Sequence, residues 1–158
     1  MNGVVVVWVG RRAPAAFETI AAEYAARLSR HLPFAEIRVR PAAGRRGDPR
    51  RALAEEAAAV LRHLLPGDAV VALDERGRER TTGELAGWMA GRRGIGRTVF
   101  VIGSDLGLYP DLKHGAVETL ALSRLTLPHA LARVLLLEQL YRVADLAAGG
   151  QYHRGDAG

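Results

Sequence analysis

Cysteine is absent from this sequence. Its absence excludes disulfides, thiolate metal sites and cysteine nucleophiles. Lysine is almost absent: of the 22 basic residues only Lys113 is lysine, and the rest are arginine. Histidines stand at 31, 63, 114, 129 and 153 with no His-x-x-x-His pair, so no metal site is expected. No apolar run is long enough to span a bilayer. The first residues, Met1 to Trp8, carry no basic leader of the kind that opens a signal peptide. The expectation is a cytoplasmic protein with no membrane and no metal among its partners.

What is present is a chain of 158 residues, 49% hydrophobic, enough to bury one core. The net charge of +5 points to a polyanionic partner. It is equally read as a base-composition bias that spreads arginine and alanine over solvated helix faces.

Val4 to Val9 is continuously apolar, as suits a central parallel strand buried on both faces. Pro14 opens a helix with Phe17, Ile20, Ala21, Tyr24, Leu28 and Leu32 at spacings of three and four, and Pro33 stops it. Residues 34–40 alternate as a half-exposed strand. A second helix is predicted from about Pro49 to Leu65, and a buried strand from Ala69 that ends at Asp74. Residues 75–80 then form a charged loop. Thr81 and Glu84 have the spacing of a capping box at the start of a third helix. Thr98 to Ile102 is another buried strand, ending at Gly103. An apolar helix runs from Pro128 to about Ala147, and its apolar residues cover more than one stripe. One side is expected on the sheet and the other on a second copy of the chain, giving a homodimer. This order predicts a single α/β domain over 1–158: a mostly parallel sheet with helices on both faces.

Two loops are candidates for chemistry, because ligands of open α/β sheets bind beyond the carboxyl ends of the strands. One is Gly103-Ser-Asp-Leu-Gly107. By itself its glycine spacing is as well explained by a tight turn, and it matches neither a phosphate loop nor the dinucleotide fingerprint. The other is Leu122 to Leu127, closed by Pro128-His129. It reads either as an edge strand with a helix cap or as a loop offering backbone groups to an adenine. No Gly-x-Ser-x-Gly elbow exists to suggest a hydrolase.

Taken together, Val-Ala-Leu-Asp74, Val-Ile-Gly-x-x-x-Gly-Leu108, Leu-Ser-x-Leu-Thr-Leu-Pro-His129, Arg133-Val-Leu, Glu138-Gln-Leu-Tyr-Arg142 and Tyr-His-Arg154 resemble the SPOUT methyltransferases. The likeness is to the ribosomal RNA large subunit methyltransferase H family, and it extends over nearly the whole chain. The resemblance implies a C-terminal trefoil knot over about 97–148, followed by a tail, 149–158. It implies a homodimer that binds S-adenosyl-L-methionine and methylates N3 of a pseudouridine in 23S ribosomal RNA, on the large subunit or the assembled ribosome. Cofactor contacts carried over by position are Leu73, Gly103, Leu122, Ser123, Arg124, Leu125, Thr126 and Leu127.

In the tail, Arg154 and His153 are the candidates to assist loss of the imide proton, with Tyr152 as a stacking platform for the base. Nothing in such a fold is expected to require residues past the last helix. His129 is read as fixing the loop or helix start. Arg45, Arg46, Arg50 and Arg51 are candidate phosphate contacts, and Arg133 and Arg142 either pair in a dimer or face RNA. One departure stands out: the family usually has two glycines opening the cofactor loop, and here Ser104 and Asp105 follow Gly103. An alternative is therefore a ribosome-binding member with weakened cofactor binding. Pattern alone also allows a small nucleotide-binding α/β enzyme of unrelated chemistry.

Overall fold

The computed structural model describes residues 2–42 and 47–154. Five strands form one parallel sheet: β1 (Val4–Val9), β2 (Phe34–Val39), β3 (Ala69–Glu79), β4 (Thr98–Ile102) and β5 (Glu118–Ala121), in the order β2-β1-β4-β3-β5. Five helices join them: α1 (Ala15–Leu28), α2 (Pro49–Leu61), α3 (Thr82–Ala90), α4 (Pro110–His114) and α5 (His129–Ala147).

The continuous apolar strands are explained by two cores. Along β1, Val4, Val6 and Trp8 enter one core and Val5, Val7 and Val9 enter the other. Along β4, Phe100 and Ile102 face the first, Val99 and Val101 the second. The first core is closed by α1, α3 and α5, and the second takes Val60 of α2 and Leu112 of α4. Each fully buried Val, Leu or Phe contributes roughly 1.5–3 kcal/mol relative to exposure.

The capping box forms as its spacing predicts: Glu84 N–H donates to Thr81 Oγ at 3.1 Å, and Thr81 N–H donates to Glu84 Oε2 at 2.8 Å. The first two helices end early, at Leu28 and Leu61, with single turns covering the remaining residues.

The expectation for β3 is corrected. The strand does not end at Asp74; it bulges between Leu73 and Arg78 and continues to Glu79, pairing Arg78 with Leu120 and Glu79 with Ala121. Its charged sequence hid this, because alternation breaks at a bulge. Gly77 permits the bulge, since a Cβ there would meet the Thr119 backbone at 2.7 Å.

Helix α5 lies between α1 and α3. Leu136 and Leu137 are both fully buried within the chain. Much of the apolar excess that pointed to a second copy is thus absorbed internally, while Leu135 stays 37% exposed.

Candidate active site

The carboxyl ends of β3, β4 and β5 open onto a crevice of about 510 Å³. Three pieces of chain line it: the β3 bulge, the loop after β4, and the loop between β5 and the start of α5. Of the eight residues expected to contact a cofactor, Leu73, Gly103, Leu122, Ser123, Leu125, Thr126 and Leu127 line this cavity. Arg124 does not. Its side chain is 84% exposed and lies 3.6 Å from Glu79.

The loop after β4 is held by its own backbone. Gly107 N–H donates to Ser104 C=O at 2.8 Å, and Gly107 has φ +83°. A Cβ on Gly103 would strike the Gly107 carbonyl, so Gly103 is required first by this turn. Ser104 and Asp105 adopt negative φ, and the turn forms without the second glycine. Ser104 Oγ donates to Glu56 Oε2 at 2.8 Å and accepts from Leu106 N–H at 3.3 Å. Serine is therefore a structural contact here.

The role of Asp74 in the lining escaped the sequence reading. Asp74 has its carboxylate held by the Arg76 N–H at 2.8 Å and by Lys113 Nζ at 3.0 Å. Burial acts to raise its pKa, but the Arg76 amide and the Lys113 ammonium outweigh it, so the pKa lies below the usual value. Only the bulge makes this arrangement, and no local spacing announces it. His129 and Asp105 are also in the lining. The His129 ring stacks beside Trp8, with centroids 6.3 Å apart and planes at 23°, which fixes the start of α5.

Arg133, read as pairing in a dimer or facing RNA, is corrected: it is 5% exposed and turned into the chain's interior. It donates to both oxygens of Glu36 at 2.8 and 2.6 Å, lies 3.0 Å from Glu18 and stands over Trp8 at 4.5 Å. Burial alone would lower its pKa; the two carboxylates raise it. Arg142 likewise pairs with Glu138 and stands over Tyr152.

The tail is also corrected. Tyr152 is tied into the fold: its N–H donates to Asp145 Oδ2 at 3.0 Å, and its hydroxyl lies 3.4 Å from that of Tyr24 and 3.3 Å from Glu138 Oε1. Its ring lies 4.7 Å from that of Tyr141 and 4.6 Å from the Arg142 guanidinium. The Tyr24 hydrogen bond, burial and the Glu138 charge raise its pKa. His153 is half-buried and Arg154 exposed.

The tail follows the end of α5 remote from His129, a helix of 19 residues or about 28 Å at 1.5 Å per residue, and turns back along it so that Tyr152 meets Glu138, Tyr141 and Arg142. Arg50 and Arg51 are exposed in the first turn of α2, while Arg45 and Arg46 lie outside the described residues. Among the described residues no cluster of His, Asp and Glu could hold a metal, and no helix is long and apolar enough to cross a membrane.

Fold and site define a class: a parallel α/β protein with a loop-built cofactor crevice at the carboxyl edge of its sheet. A family model described as "Predicted SPOUT methyltransferase" matches residues 2–153. Among curated relatives, the "Ribosomal RNA large subunit methyltransferase H" of Thiobacillus denitrificans is 46% identical, covering 92% of this chain and 95% of the relative. The protein of the same name from Gloeobacter violaceus is 42% identical, covering 94% and 97%. Among solved structures, a probable methyltransferase from Bordetella pertussis Tohama I superposes with a TM-score of 0.56 at 16% identity, covering 90% of this chain and 95% of that one. A probable methylase family protein from Haemophilus influenzae gives a TM-score of 0.53 at 12% identity, covering 98% and 70%. These two likenesses bear on the fold alone. The chain belongs to the SPOUT methyltransferases and, within them, to the ribosomal RNA large subunit methyltransferase H family.

Proposed function

We propose that this chain, working as one SPOUT domain with its C-terminal part threaded as a trefoil knot, transfers a methyl group from S-adenosylmethionine to N3 of a pseudouridine in 23S ribosomal RNA. The observation that carries this reading is the crevice: seven of the eight expected contact residues line one cavity of about 510 Å³. That volume lies within the range of pockets that enclose a cofactor-sized ligand.

The lining fits the group. Leu73, Leu120, Leu122, Leu125 and Leu127 give apolar walls that would hold an adenine ring. The loop 122–128 belongs to neither strand nor helix, so its backbone groups are free of ladder pairing and would serve the ring's polar edge. S-adenosylmethionine, when bound, supplies a methyl group already activated by its sulfonium charge. The chain's own work is to position that group against the acceptor and to exclude water.

The acceptor imide must lose a proton. Arg154 offers a permanent cation to the developing anion, His153 accepts the proton, and Tyr152 supports the base. The tail follows the end of α5 remote from its own crevice. The reading therefore includes a homodimer in which one protomer's tail meets its partner's crevice. Exposed Arg11 and Arg12 follow β1, and Arg76, 81% exposed, lies in the crevice lining. These cations would meet phosphates of the large subunit or assembled ribosome.

The test is calorimetric titration with S-adenosylmethionine, followed by methyl transfer to ribosomes with the product nucleoside identified. Binding with transfer to pseudouridine N3 is expected. Ribosome binding without cofactor binding would replace the enzyme with a binding protein.

A further inference from the structure

We propose that Glu56 is a positioning residue for the cofactor loop, acting through Ser104; this rests on the reading of the crevice as the S-adenosylmethionine site. Glu56 lies on α2, outside the crevice lining, and is only 5% exposed. A carboxylate so placed is costly to desolvate, and among the described residues no cation pairs with it. Its oxygens go instead to two neutral donors from separate parts of the chain. Oε1 accepts the Ala42 N–H at 3.1 Å, just beyond β2, and Oε2 accepts the Ser104 hydroxyl at 2.8 Å.

The residue type follows from this geometry. A carboxylate accepts from both donors at once, whereas a glutamine would have to reverse one link and donate to Ser104 Oγ, which already accepts from Leu106 N–H. What Glu56 holds is the centre of the turn. Ser104 Oγ accepts the Leu106 N–H, and Ser104 C=O accepts the Gly107 N–H. A fixed Ser104 therefore fixes the backbone from Gly103 to Gly107, one wall of the crevice. The serine that replaces a glycine of the family pattern is the handle by which α2 sets this wall.

The variants are Glu56→Gln, Ser104→Ala and the double. Ser104→Ala removes the same link from a half-exposed loop, so it reports even if Glu56→Gln folds poorly. Two readouts are taken. Amide exchange of Leu106 and Gly107 in the unliganded protein should quicken about tenfold in each single variant, the scale of one charge-assisted hydrogen bond. The Kd and KM for S-adenosylmethionine should rise about tenfold with kcat near wild type, and the double variant should be no worse than the poorer single. Loss of folded protein would instead lower apparent kcat and leave KM unchanged. Wild-type exchange and affinity in both single variants, or strictly additive effects in the double, would overturn the proposal. If wild type itself does not bind S-adenosylmethionine, the functional reading falls, and the exchange rates alone decide whether Glu56 positions the loop.

Discussion

His129 Nδ1 stands 2.9 Å from Asp105 Oδ1, joining the start of α5 to the tip of the cofactor loop across the crevice. The Asp105 side chain is 84% exposed, and exposed pairs of this kind contribute at most about 1 kcal/mol. The His129 ring keeps its place by stacking beside Trp8. Asp105→Ala is therefore expected to change S-adenosylmethionine affinity less than about threefold by calorimetry. A loss beyond tenfold would show that the carboxylate touches the bound sulfonium directly.

The homodimer is tested at Leu135, not at its buried neighbours. Leu136 is fully buried in the core between α5 and the sheet, whereas Leu135 is 37% exposed. Leu136→Glu should destabilise the fold by several kcal/mol, seen as a lower denaturation midpoint. Leu135→Glu should leave the chemical-denaturation profile of the subunit near wild type and shift sedimentation toward monomer. A wild-type protein that sediments as monomer at micromolar concentration would refute the dimer.

Tail residues divide by their contacts. Tyr152 is bonded to Tyr24, Glu138 and Asp145, so removing residues 151–158 should lower the melting temperature as well as activity. Arg154 is exposed, and Arg154→Ala should keep the melting temperature while methyl transfer falls about a hundredfold. Mixing Arg154→Ala protomers with Gly103→Val protomers should restore part of the activity, because one tail and one crevice then remain intact at the same composite site. No recovery in mixed dimers would place tail and crevice in the same protomer.

Asp68 supplies the pH dependence of stability. Its side chain is 4% exposed and takes two hydrogen bonds from Arg97, at 2.9 and 2.6 Å. The Arg97 bonds lower its pKa; burial opposes them without prevailing. A carboxyl whose folded pKa lies below its unfolded value stabilises fully above the unfolded pKa, and this is lost as pH falls through the folded one. Asp68→Asn should thus cost about 1.5–3 kcal/mol at pH 7, the scale of hydrogen bonds to a charged group. In urea titrations the deficit should shrink as pH falls below about 4, the unfolded aspartate value. A deficit that stays constant down to pH 2 would mean that packing, not charge, accounts for it.

Apolar runs by themselves determined two inner strands, β1 and β4, but not β5 (Glu118–Ala121) at the sheet's edge. Val4 to Val9 and Thr98 to Ile102 carry residues suited to burial on both faces, and strand periodicity is local, so it reads directly from sequence. The capping box at Thr81 was legible for the same reason, whereas 122–127 read equally as an edge strand until the fold put β5 at Glu118–Ala121 ahead of it. Tertiary structure alone decided which charges are internal. Arg133 and Glu36 are 97 positions apart, and Ser104 and Glu56 are 48 apart. Each pair meets only because strand order and helix packing bring it together. The bulge in β3 escaped because its residues break the period-two pattern on which strand recognition depends. Leu135 and Leu136 are chemically identical, yet the set of the helix against the sheet, flanked by α1 and α3, leaves one partly in water and buries the other.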